Sequence, residues 1–216
     1  MAKVQINAED AFDVAISWEG LGGGNPARHC ALAALMEIGH YFEAAQGLEK
    51  LADEVRANAV FKAKLLVQSA RAWVAANNAK RAAAVADAAL KLTPDAPKAL
   101  LVRAQALAVQ GAYWDASDDL NQVLFGDPKN VQALVMRGAA YRQLDAPELA
   151  LDDLNRALRI DPDHPEGLLE RGIVHRLGGR KTQARADWNR LINTAPDTDA
   201  ARSAIANVHK LDSGLN

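Results

Sequence analysis

Four prolines, Pro94, Pro128, Pro162 and Pro196, stand 34 residues apart, and three tripeptides keep the same spacing: Asp119-Leu120-Asn121, Asp153-Leu154-Asn155 and Asp187-Trp188-Asn189. A fixed period of this length makes the chain a row of like units, each burying its apolar face against the next. Within a unit, apolar residues at helical spacing (Ala99, Leu100, Ala104, Leu107) run to a polar break at Gln110-Gly111. A second helical stretch follows (Ala116, Leu120, Val123, Leu124) and closes at an Asp-Pro pair. The pattern predicts helix, turn, helix, stop.

Residue by residue, the units resemble the tetratricopeptide repeat, which wants small residues at positions 8, 20 and 27, bulky ones at 4, 11, 17 and 24, and Pro at 32. The unit from Val131 supplies Leu134, Gly138, Tyr141, Ala150, Leu154, Ala157 and Pro162, with Pro147 in place of the usual aromatic at position 17. The unit from Pro97 supplies Leu100, Ala104, Leu107, Tyr113, Ala116, Leu120 and Pro128, and that from Pro165 supplies Leu168, Gly172, Ala184, Trp188 and Pro196, with His175 at position 11. An alanine-rich unit from Ala63 keeps Leu66, Ala70, Trp73, Ala82, Ala89 and Pro94. A divergent fifth unit begins at Asn25, with Leu32, Leu35, Gly39, Tyr41, Ala44, Leu48 and Leu51 in register. The next unit starts four residues late, which predicts that the helix around Leu48–Arg56 is about a turn longer than its siblings. Small residues sit where antiparallel helices approach closest, and large ones fill the space where they diverge, so the motif is a packing rule.

The resemblance implies an all-α, right-handed superhelix of about five helix pairs. Residues 1–24 are expected to form an N-terminal capping helix and a Gly-rich loop, and 25–198 the repeats (25–58, 63–96, 97–130, 131–164, 165–198). Residues 199–216 form a C-terminal capping helix and tail. In the N-terminal cap Ala11, Phe12, Ala15, Ile16 and Trp18 are expected to face inward, and in the C-terminal cap Ile205 and Val208. The final residues, Asp212–Asn216, are expected to fray.

Half the residues are apolar, 24% are charged and the net charge is −2, so no nucleic acid is expected as a partner. No stretch of about 18 apolar residues is present, so no membrane insertion is expected. The single Cys30 excludes an intrachain disulfide framework. Met1-Ala2-Lys3-Val4 carries no apolar signal core, which points to the cytoplasm as the sequence stands, and to the periplasm if Met1 follows a removed signal peptide.

Chemistry is not written into this chain. Gly20-Leu21-Gly22-Gly23-Gly24 lacks the Gly-Lys-Ser/Thr that a phosphate loop needs, and is expected to be a helix stop before Asn25-Pro26. His29, His40, His164, His175 and His209 include no i, i+4 pair and have no cysteine pair nearby, so no metal site is expected. No nucleophile elbow or distinctive acidic pair appears. No catalytic residue and no cofactor are expected. A carboxylate hydrogen-bonded to His164 or His175 at the bottom of a cleft would revive an enzyme.

Position 7, usually apolar in the family, is Arg103, Arg137 and Arg171 in three successive units, each with Asp at position 23: Asp119, Asp153 and Asp187. The arginines could form a ladder for an acidic ligand. The unit lacking Asp at position 23 (Val85) also lacks Arg at position 7 (Ser69), which favours ion pairs within repeats.

The resemblance further implies that first helices line a concave face on which positions 2, 5, 6, 9, 12 and 13 meet a ligand. Here these are Lys64, Val67, Gln68, Arg71, Lys98, Leu101, Val102, Gln105, Gln132, Val135, Met136, Arg142, Glu170, Ile173 and Arg176, joined by Ala139, Glu166 and Leu169. They describe a mildly basic groove with an apolar floor (Leu101, Val102, Val135, Met136) flanked by Arg71, Lys98 and Arg142. Val67, Leu101, Val135 and Leu169 at position 5 depart from the carboxylate clamp of one subfamily. The expected role is a protein–protein adaptor or scaffold binding an extended or helical peptide, as a monomer or weak homo-oligomer. The alternatives are self-assembly through convex or end surfaces, for which exposure of Trp114 would speak, and an enzyme-associated regulatory subunit.

Overall fold

A computed structural model of the chain describes residues 7–213 and contains no strand among them. It divides into two compact units, residues 1–111 and 112–216. The first holds α1 (Ala8–Trp18), α2 (Gly24–Ile38), α3 (Tyr41–Glu54), α4 (Ala59–Ala75), α5 (Ala79–Leu92) and α6 (Pro97–Val109). The second holds α7 (Tyr113–Gly126), α8 (Val131–Gln143), α9 (Pro147–Ile160), α10 (Pro165–Leu177), α11 (Lys181–Thr194) and α12 (Asp199–Asp212). In each, sequential helices pack on one another and first helices of successive repeats also touch: α4 with α6, and α10 with both α8 and α12.

The turn inside each repeat has one solution, used five times. Position 15 is Gly39, Asn77, Gly111, Asp145 and Gly179, with φ of 96°, 57°, 79°, 55° and 75°. Left-handed backbone brings Cβ against the following carbonyl, a cost that Gly escapes and that Asn and Asp bear best, so the sequence varies only among those three. Helix starts are marked by Pro97, Pro147 and Pro165 at the first helical position, where a missing N–H costs nothing. Asn58, Asn78, Asn130, His164 and Thr198 accept from the backbone N–H three residues on.

Small and large residues mesh as the packing rule demands. A Cβ on Gly138 would lie 2.8 Å from Leu154 Cγ, and one on Gly172 only 2.2 Å from Trp188 Nε1. The divergent first repeat inverts the arrangement: position 8 is the large Leu32, and position 23 opposite it is Gly47, where an added Cβ would meet Leu32 Cδ2 at 2.1 Å.

Four expectations are corrected. The four extra residues do not lengthen α3, which has the same 14 residues as α5, α7, α9 and α11. They extend α4 to 17 residues, against 13 in α6, α8 and α10, because Val55 turns extended and Asn58 caps a new start. In α1, Ala15 is buried and Ala11 and Phe12 are half-buried, but Ile16 and Trp18 are 46% and 45% exposed. In α12 the seam is Ala200, Ala201 and Ala204, with Val208 half-buried and Ile205 41% exposed. Small residues let a capping helix lie close, and a close helix leaves no room beneath it for isoleucine. The glycine stretch does not simply stop a helix: Glu19–Gly23 continues as one wide helical turn, bent at Gly22 with φ 91°. Of the expected fraying tail, residues 214–216 lie outside the described residues.

Candidate binding faces

Two of the expected arginine pairs are present in full. Arg137 donates Nε and Nη2 to Asp153 at 2.7 Å each, and Arg171 donates the same two atoms to Asp187 at 2.9 and 2.6 Å. Arg103 belongs to the first unit and Asp119 to the second, so that expectation spans the two. Each guanidinium also has a partner that the sequence reading did not foresee. Nη1 of Arg137 donates to Asn121 at 2.6 Å, and Nη1 of Arg171 to Asn155 at 3.0 Å. Nη1 of Arg103 likewise donates to Asp87 at 2.6 Å. Asp87, Asn121 and Asn155 all occupy position 25 of the preceding repeat. Asp153-Leu154-Asn155 shows the use of the motif: its Asp holds the arginine of its own repeat and its Asn the arginine of the next.

Asp153 and Asp187 are buried, and each receives a two-toothed guanidinium, the strong form of an ion pair. Hydrogen bonds donated to Asp153 push the Arg137 guanidinium above its usual pKa, and Tyr141 lies under it with its ring centroid 5.7 Å away. The Arg137 and Arg171 guanidinium groups are held by protein groups on all three nitrogens. They bridge successive repeats.

The histidines are similarly spent. His164 Nδ1 accepts from the Gly167 backbone N–H at 3.2 Å as the cap of α10. His175 Nδ1 accepts from Arg180 Nε at 2.9 Å, and its Nε2 stands 3.9 Å from Asp187, too far for a hydrogen bond. Burial lowers the His175 pKa, with the positive charges of Arg180 and Arg171 adding to it against the pull of Asp187. Among the described residues no group of three or more His, Cys, Asp or Glu is placed to hold a metal, and no helix is long and apolar enough to cross a membrane.

On the first unit's face Lys64, Arg71, Lys98 and Gln105 are exposed, Gln68 and Leu101 are half-buried, and Gln68 is hydrogen-bonded to the His29 ring at 2.8 Å. Val67 and Val102 are buried, and Val102 packs into the cluster around Trp73 and Val85. On the second unit's face Gln132 and Glu166 are exposed, and Met136, Ala139, Leu169 and Ile173 are half-buried. Val135 is buried, 3.4 Å from where a Gly167 Cβ would be. The floor is thus narrower than expected, since Val67, Val102 and Val135 belong to the core. The repeat signature describes packing within a helix pair, whereas these valines are covered where one first helix leans on the next.

The charge balance changes as well. Arg142 and Glu170 form an ion pair at 2.7 Å with both side chains 18% exposed, so neither is free to steer a ligand. The second unit's face is less basic than expected; the first keeps Lys64, Arg71 and Lys98 in the open.

Tetratricopeptide repeat profiles match residues 67–130, 113–165 and 166–198. The chain belongs to the tetratricopeptide repeat family, and its all-α fold is the one that family builds. MamA from Desulfovibrio magneticus RS-1 is similar in structure, with a TM-score of 0.67 at 19% identity over 81% of this chain and 97% of that one. TTC0263, a thermophilic tetratricopeptide repeat protein of Thermus thermophilus, has a TM-score of 0.65 at 19% identity, covering 93% and 99%. YrrB, described as a tetratricopeptide repeat protein with an unusual peptide-binding site, has a TM-score of 0.55 at 24% identity, covering 76% and 85%. No curated protein matches the chain.

Proposed function

We propose that this tetratricopeptide repeat protein is a non-enzymatic adaptor or scaffold that holds a peptide segment of a partner protein against the faces of its first helices. The observation that carries the reading is the second unit's half-open apolar strip, Met136, Leu169 and Ile173, beside polar groups on the same helices. An apolar anchor gains about 25 cal/mol per Å² buried, while exposed ion pairs contribute roughly 0–1 kcal/mol each, so the strip sets affinity. The peptide-binding site of YrrB supports the same use of a shared fold. Once a partner is identified by pull-down and mass spectrometry, Met136→Glu is expected to abolish its binding at unchanged helicity. Unchanged affinity overturns the assignment.

A second reading, self-assembly, is favoured by one observation. Trp114 is 65% exposed and Phe125 92% exposed. Eleven residues apart, they lie on one side of α7, three turns or about 16 Å from each other. Sedimentation velocity against concentration tests it: association that Trp114→Ser abolishes supports the reading, and a concentration-independent monomer removes it.

A further inference from the structure

Position 12 is a cation in three successive units: Arg142, Arg176 and Lys210. Arg142 shows what such a residue does when its surroundings are complete. Its Nε donates at 2.7 Å to Glu170, which stands at position 6 of the following unit. The residue in the corresponding place for Arg176 is Ala204, fully buried on α12, which packs against α10. Arg176 therefore holds its sibling's place in the repeat without the carboxylate. Its side chain is half-buried, and its Nε is buried with no hydrogen-bond partner among the described residues. Buried guanidinium N–H groups are nearly always paired, because water that would otherwise serve them has been excluded. The nearest polar neighbours in sequence do not help: His175 and Arg180 are engaged with each other, and Arg171 is held by Asp187 and Asn155.

We propose that Arg176 is a binding site for a carboxylate supplied from outside the chain, which plays the part that Glu170 plays for Arg142. The ligand class follows from the sibling position, where the acceptor is the carboxylate of Glu170 and the guanidinium fork matches it. The carrier is an acidic side chain or the C-terminus of a bound peptide. That part rests on the peptide-scaffold reading, whereas the site does not. Exposed Lys210, one unit further along the same row, adds attraction for negative charge. The site also differs from the subfamily clamp, which relies on positions 2, 5, 6 and 9.

The test follows the Arg176 Nε–Hε resonance by nitrogen–proton NMR in the full chain, assigned by its loss in Arg176→Gln. Sodium acetate is titrated against sodium chloride at equal ionic strength. A saturable shift of the Arg176 signal with acetate alone, with the Arg142 and Arg171 signals still, is the expected result. No shift, or an equal shift of all three, overturns the proposal. Ala204→Glu supplies the missing carboxylate internally and is expected to reduce the acetate response at least tenfold. Because Ala204 is fully buried and that variant can fail to fold, Arg176→Gln carries the decision independently: it must abolish every acetate-dependent change on α10 and α12. Two short blocked peptides, one with a glutamate side chain and an amidated end, the other with a free C-terminus and no acidic side chain, then separate the carriers. The Met136→Glu experiment with the true partner reads the apolar strip, so either proposal can fail alone.

Discussion

Replacing Arg137 with leucine removes a guanidinium but leaves behind the carboxylate it was holding. Asp153 has a side chain only 2% exposed, and two of its three guanidinium contacts, both at 2.7 Å, come from Arg137; the third, from Arg156, is longer at 3.2 Å. The variant also strips Asn121 of its 2.6 Å donor. Breaking a buried ion pair from one side costs about 3–5 kcal/mol, a large share of the roughly 5–15 kcal/mol that holds a domain together. For a unit of this size each kcal/mol moves the midpoint by about 4–8 °C, so Arg137→Leu is expected to lower the melting temperature of the second unit by about 12 °C or more. Urea unfolding followed by circular dichroism gives the free energy directly. The exposed pair Arg190–Asp163, with side chains 51% and 52% exposed, is the control, and Arg190→Leu is expected to leave the melting temperature nearly unchanged. Making both buried partners apolar, Arg137→Leu with Asp153→Leu, is expected to recover most of the loss because no charge is stranded. If Arg137→Leu costs no more than Arg190→Leu, the ladder is ornamental and the buried pairs do not hold the repeats together.

Two further substitutions probe other parts of the second unit. Gly172→Ala places a methyl 2.2 Å from the indole nitrogen of fully buried Trp188 and is expected to destabilise by about 1–3 kcal/mol, read as a lower urea midpoint at unchanged slope. His175 is held neutral in the folded state by burial, with its pKa below the ordinary 6.5. Its contribution is therefore intact above that value and erodes as pH falls through the window beneath it, while the unfolded chain takes up the proton first. The stability difference between wild type and His175→Gln is expected to shrink from pH 7 to pH 5, and a constant or growing difference contradicts the assignment.

The fold was legible because its signals repeat. A single Gly-Tyr or Asp-Pro pair says little, but four prolines in phase set the register of every helix, and position 15 could be read as a turn without knowing that each instance is left-handed. The Arg–Asp pairs were legible for the same reason: Ser69 and Val85 depart together. Asn121 and Asn155 carried an equally periodic signal, and it went unread because their partner lies in the next repeat, sixteen residues on. Burial of Val67, Val102 and Val135 was not legible, since it depends on how closely one first helix leans on the next. Nor was the outward placement of Ile16, Trp18 and Ile205, where hydrophobicity gave no hint that alanines would form the seam.

Because Arg137 and Arg171 each reach forward to their own aspartate and back to their predecessor's position 25, the bonding is indifferent to how many repeats there are. A copied block running from Val131 to His164, spliced in after itself, would bring one ladder Arg, one ladder Asp and one ladder Asn, and every one of them would find a mate. Growth by whole periods leaves no member of the ladder stranded; growth by any other length does. The series is closed by side-chain choice, since the arginine's place on α12 belongs to Ile205, which cannot take the hand that Asn189 would offer. A ladder built this way can lengthen by duplication alone, and a single residue is enough to end it.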